Sequence, residues 1–262
     1  MAGSKIWKIS AGCATIVATM AGIPAAHAAS LTMDVSYFTV KSPDPDYDHD
    51  YAPNGNYNWG TWTDLVTGSL GPDGLPVYNT SAPSGQPNYV DLNANGELTW
   101  WSPSANPHVT ATGTGTVTLP FANYSFFPTN GTNSNGGDAN GFQAAIFTGT
   151  LVVPEAESVK FTFGADDDAF LYLNGNTISQ EEGIHGVTAA PVTTETLAAG
   201  SYSLELFYTD RHQTGAGLYF SVDTSDVTVT PPPTLVPEPD QVVLMLAGLG
   251  LIGAMARQRS TR

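Results

Sequence analysis

The sequence predicts an all-β chain, folded as an antiparallel β-sandwich. Three observations point there. Charged residues make up only 12 % of the chain, too few to line the polar faces of many helices. Glycine and proline are abundant, at 27 and 19 residues, and punctuate the chain with turns. Between those turns lie short runs of β-branched and aromatic residues at regular intervals.

The first such run is Asp34 to Val40, followed by a candidate strand from Thr63 to Leu70. Gly71-Pro72-Asp73-Gly74 is a strong turn signal. From Thr110 to Leu119 small β-formers alternate with glycine. Residues 128–141 are a polar loop, too poor in apolar groups to hold core positions. Phe142 to Val153 alternates as a half-buried strand. Ser158 to Phe163, Ala169 to Leu173, Pro191 to Leu197, Ser201 to Tyr208 and Gly217 to Val222 complete the series. Asn174-Gly175 and Ala199-Gly200 read as hairpin turns.

Both ends read as sorting segments. Residues 1–28 have the form of a secretory signal peptide: Lys5 and Lys8, an apolar stretch to Ile23, then Ala26-His27-Ala28 as a signal-peptidase site. The domain then spans 29–229, large enough for a real core. A stiff proline-rich linker, 230–241, holds Val236-Pro237-Glu238-Pro239. Residues 242–256 are uninterrupted apolar residues, and 257–262 form a basic tail with Arg257, Arg259 and Arg262. As a helix the apolar run reaches about 22 Å, short of the ~30 Å hydrocarbon core. It spans with its flanking residues and local thinning, leaving the arginines cytoplasmic.

The net charge is −16. The domain keeps only Lys41, Lys160 and Arg211 as Lys or Arg, which excludes nucleic acid and anionic membrane as partners. Cys13, the single cysteine, lies in the leader, so the exported part has neither disulfides nor thiol chemistry. No G-x-S-x-G, H-E-x-x-H or phosphate loop occurs, and catalysis is not expected.

The chemistry concentrates at Asp166-Asp167-Asp168, between two apolar runs. Adjacent carboxylates repel, and burying them requires a counter-charge. Ca²⁺ satisfies that requirement, since it takes several oxygen ligands in flexible geometry. The alternative is a solvated acidic turn. Weaker candidates are Asp44, Asp46 and Asp48, which with Asp50 would share one side of an extended segment. Asp91, Asn93 and Asn95 match the first half of a calcium loop, but Ser102 stands where the bidentate Glu belongs. An Asn-Gly turn is the preferred reading there. His185, Asp210, Arg211 and His212 form a second constellation. It reads either as ligands or, preferably, as a structural network in which Arg211 neutralises the Asp cluster.

The C-terminal order of Pro237-Glu238-Pro239, apolar run and arginines resembles a PEP-CTERM sorting signal. That implies export through the inner membrane of a Gram-negative bacterium, transient anchoring, and processing by an exosortase. A cell-surface or extracellular location follows, often linked to exopolysaccharide and biofilm. The body resembles the fibro-slime domain, a relative of the lectin-like β-sandwich of the anthrax protective antigen. The resemblance runs from Ser42-Pro43-Asp44-Pro45-Asp46-Tyr47 through Leu70 to Tyr78, Phe126-Phe127-Pro128, Phe147 to Leu151, Asp166 to Gly175 and Gly183 to Gly186, ending at Phe207 to His212. In lectin-like relatives an Asp-Asp pair on this loop binds Ca²⁺, which orders sugar hydroxyls. The pair maps to Asp166 and Asp167, with Asp168 as a further ligand or supporting group. The resemblance therefore implies calcium-dependent carbohydrate binding or adhesion. A structural matrix protein is the alternative, and a glycan hydrolase the third reading.

Overall fold

A computed structural model describes residues 31–41, 44–47, 60–81, 90–128, 141–190, 192–212, 215–224 and 226–233. The signal peptide, the sorting segment with Pro237, Glu238, Pro239, Arg257 and Arg259, and most of the 128–141 loop lie outside them. Among the described residues no helix is long and apolar enough to cross a membrane.

The described chain is all-β. Its strands are β1 (Thr32–Val40), β2 (Gly60–Trp62), β3 (Val66–Leu70), β4 (Pro76–Tyr78), β5 (Val109–Thr118), β6 (Phe121–Asn123) and β7 (Phe142–Val153). They continue with β8 (Glu157–Asp166), β9 (Asp168–Leu173), β10 (Asn176–Ile184), β11 (Thr193–Leu197), β12 (Gly200–Thr209), β13 (Gly217–Val222) and β14 (Thr228–Thr230). The larger sheet runs β4-β3-β10-β9-β12-β7-β1-β5, with β14 beside β7 and β2 beside β10. The smaller runs β11-β8-β13-β6. The pairings are antiparallel.

The main core lies between the sheets. Phe147, Leu171, Leu204 and Leu206 of the large sheet pack with Phe161, Phe163, Leu218 and Phe220 of the small one. A second core covers the other face of the large sheet, where Trp100, Trp101, Leu98 and Leu65 meet Phe142, Phe170, Tyr172 and Phe207. The central strand β9 is therefore buried on both faces, which is why Ala169 to Leu173 is unbroken apolar sequence. At the opposite extreme, β5 is an edge of threonine and glycine with most residues exposed, a composition that discourages edge-to-edge pairing.

Several expectations change. Asn176–Ile184 is a strand that the sequence reading passes over. Strand β3 starts at Val66, not Thr63, because Asp64 takes a positive φ of 62°. Asn174-Gly175 is the expected hairpin turn, with φ of 49° and 71°. Ala199-Gly200 is not one: β11 pairs with β8 in the small sheet and β12 with β7 and β9 in the large sheet, so this turn changes sheets. Asp44 to Tyr47 is a turn closed by Tyr47 N donating to Asp44 O at 3.1 Å, not an extended segment.

Candidate functional site

Residues Asp166, Asp167 and Asp168 form the corner where the chain leaves the small sheet for the large one. Asp166 ends β8 opposite Gly217, and Asp168 opens β9 opposite Thr209. The Asp166–Asp167 peptide is cis. Because β12 runs beside β9, its end delivers Asp210 and Arg211 to the same corner.

Carboxylate oxygens of Asp166, Asp167 and Asp210 lie within 4.8 Å of one another, and all three residues are buried. The backbone holds Asp167 on both sides: His185 N donates to Oδ1 and Arg211 N to Oδ2, each at 2.8 Å. Tyr208 donates its hydroxyl to the Asp166 carbonyl at 2.7 Å. His212 N donates to Asp210 Oδ1 at 3.2 Å. Gly215 lies so close to Asp166 Oδ2 that any Cβ there would strike it, and its φ of +87° favours glycine independently.

Asp168 takes a different part. Its Oδ1 accepts from Gly183 N at 2.8 Å, and its Oδ2 accepts from Arg211 Nε at 2.5 Å. Both partners of that ion pair are fully buried. Arg211 continues to the Asp46 carbonyl at 3.0 Å and lies over the Trp100 ring at 5.2 Å. Arg211 thus neutralises Asp168, and Asp168 stands apart from the three converging carboxylates. His185 contributes its backbone to Asp167, while its Nδ1 faces the Gly186 carbonyl at 2.9 Å.

The electrostatics follow from burial. Asp166 is pushed up to about 8, first by burial and then by the charge of Asp167. Asp167 is pushed up to about 6 by burial, with the charge of Arg211 opposing. Behind them Glu181 accepts from Ala165 N at 2.9 Å and from the Thr188 hydroxyl, and burial raises it to about 7. Three hard oxygen donors of one sign, buried together, fit a divalent cation such as Ca²⁺.

The weaker candidates have other partners. Asp44 accepts from Asp46 N at 3.0 Å and Asn106 Nδ2 at 2.9 Å. Asp46 accepts from Val90 N, Asp91 N and Trp100 Nε1 at 3.0–3.1 Å. These bonds stitch the 44–47 turn to the segment that carries the second core. Asn93 Oδ1 accepts from Asn95 N and Glu97 N, and its Nδ2 donates to Asp73 and Glu97. Asn95 donates to Asp73 as well. The Asn93-Asn95 stretch is thus a hydrogen-bonded turn around buried Glu97, whereas Asp91 Oδ2 is buried with no hydrogen-bond partner among the described residues. Asp48 lies outside the described residues.

The family comparison agrees with the all-β architecture. Residues 128–233 match the PA14 domain. Its fold is a lectin-like β-sandwich, and the matched stretch holds the whole carboxylate corner. Residues 235–260 match the PEP-CTERM protein-sorting motif, which marks export and C-terminal sorting in Gram-negative bacteria. Protein psiF of Dictyostelium discoideum is 24 % identical over 222 residues; the match covers 68 % of this chain but only 31 % of psiF. The chain thus spans about a third of that relative's length. The PA14 sugar-binding domain of an RTX adhesin is 23 % identical, with a TM-score of 0.28 over 35 % of this chain and 59 % of that one. The A domain of epithelial adhesin 9 from Candida glabrata, solved with Galβ1-4GlcNAc, is 10 % identical. Its TM-score is 0.37, over 77 % of this chain and 86 % of the adhesin chain.

Proposed function

We propose that the chain is an exported adhesin of the cell surface or extracellular matrix, binding carbohydrate through Ca²⁺ at Asp166, Asp167 and Asp210. The convergence of those three carboxylates carries the reading, with the Arg211 guanidinium beside them ion-paired to Asp168. The PA14 match supports it independently. Calcium, when bound, supplies coordination positions that neighbouring sugar hydroxyls fill in place of water. The chain's own part is preorganisation. Backbone N–H groups of His185 and Arg211 fix Asp167, and Gly215 brings no side chain against Asp166 Oδ2. Exopolysaccharide or biofilm matrix is the proposed target, in keeping with the sorting motif and the fibro-slime resemblance. An exosortase is the proposed processing partner.

The depth of burial supports a second reading, in which the cation only braces the fold of a structural matrix protein. Hydrolysis fits less well: the carboxylates converge on one point, whereas glycoside hydrolysis sets two on opposite sides of a bond. The full chain, purified in mild detergent, should bind a glycan array in CaCl₂ and lose that binding in EDTA. Asp167→Asn should weaken calcium binding by more than the roughly 10–100-fold typical of losing an outer hydrogen-bonding partner. Calcium-dependent thermal stability without any glycan binding would instead favour the structural reading.

A further inference from the structure

The outer face of the small sheet carries two tyrosines that neither the carboxylate corner nor the cores use. Tyr219 pairs with Gly164 of β8 and with Ala122 of β6, while Gly217 pairs with Asp166. Directly paired residues share a face, and residues two apart repeat it. Asp166, Gly217, Tyr219 and Ala122 therefore look outward together, whereas Leu218 and Phe220 enter the core.

Tyr124 follows β6 on this face. It is 64 % exposed, and its ring centroid lies 6.4 Å from that of Tyr219 at an interplanar angle of 41°. Its backbone lies against β13: a Cβ on Gly217 would be 3.6 Å from Tyr124 Cα and 2.5 Å from Val187 Cγ2. Phe126 N donates to the Ala216 carbonyl at 3.1 Å and fixes that approach. Tyr124 thus stands two strand spacings from Asp166, about 10 Å. Gly217 and Val187 between them are uncharged.

We propose that Tyr124 and Tyr219 form a second saccharide subsite, receiving the C–H face of the sugar ring next to one held at Asp166, Asp167 and Asp210. The inference rests on the carbohydrate reading above. A pyranose is polar at its rim and apolar on its faces, so one ring satisfies a hard cation and its neighbour covers an exposed aromatic pair. A separation of about 10 Å is more than a single ring bridges, so an occupant reaches both places only with two or more linked rings. The expected ligand is a neutral oligosaccharide of at least two pyranose rings, favoured over its monosaccharide.

The test uses an array of mono-, di- and tetrasaccharides of glucose, galactose and mannose, probed with the full chain in CaCl₂. The native chain should bind the preferred disaccharide roughly tenfold more tightly than its monosaccharide. Tyr124→Ala should erase that advantage while leaving monosaccharide binding and calcium affinity unchanged. Tyr124→Phe should restore it. An advantage that survives in Tyr124→Ala, or a variant that loses monosaccharide and disaccharide binding equally, overturns the subsite alone. A native chain that binds calcium but no saccharide overturns the carbohydrate reading and the subsite together.

Discussion

Replacing Arg211 with Met is expected to cost about 3–5 kcal/mol of folding stability, the typical loss when one partner of a buried ion pair is removed. The attachments of the guanidinium include Asp168 at 2.5 Å, the Asp46 carbonyl at 3.0 Å and the Trp100 ring at 5.2 Å. Removing it leaves the Asp168 charge fully buried, with Gly183 N as its remaining donor in the corner. The corner also loses one of its links to the 44–47 turn, leaving the Tyr47–Thr209 hydroxyl bond at 2.7 Å. Lys160 and Asp223 provide the contrast. That pair is 3.7 Å apart with side chains 48 % and 36 % exposed, so Lys160→Ala should cost under about 1 kcal/mol. Urea denaturation in EDTA measures both. Asp168→Asn combined with Arg211→Met should recover part of the loss, because the double change leaves no unpaired charge. An Arg211→Met midpoint equal to that of Lys160→Ala would contradict the buried network.

The same corner shows what a sequence conveys and what it withholds. Unbroken apolar residues in β9, the Asn174-Gly175 turn and the acidic triplet are local patterns, and all three are legible. Three consecutive aspartates look alike in one dimension. Arg211, 43 residues downstream, separates Asp168 from the other two, and Asp210 completes the cluster only because β12 lies beside β9. Strand β10 escapes for a related reason. Its Glu181 and Glu182 interrupt any apolar strand pattern, yet both are buried. Glu182 accepts from Leu65 N at 3.0 Å across 117 residues of sequence, a partner that no local window reveals. Trp100 and Trp101 cover the second face of the large sheet, a placement that depends on how the 44–47 turn folds back to Asp91.

In EDTA the folded chain is expected to lose stability as pH rises from about 4 to about 8. Burial raises Glu182 to about 8, Glu181 to about 7, Asp167 to about 6 and Asp166 to about 8. In the unfolded chain such carboxyls titrate near 4. Across that window the folded state binds more protons, so the free energy of unfolding falls with rising pH. The contribution of these four groups is complete below about pH 4 and is lost as pH rises through about 8. Calcium should act in the opposite sense, because protons and the cation compete for Asp166 and Asp167. Thermal melts at pH 5, 6.5 and 8 should show a calcium-induced gain that is smallest at pH 5 and largest at pH 8. At a hundred times the dissociation constant that gain is about 2.7 kcal/mol. Glu182→Gln separates the two effects. Its amide oxygen still accepts from Leu65 N, so the variant should flatten the pH slope in EDTA and leave the calcium increment intact. An increment equal at pH 5 and pH 8 would mean that the cation binds away from these carboxylates.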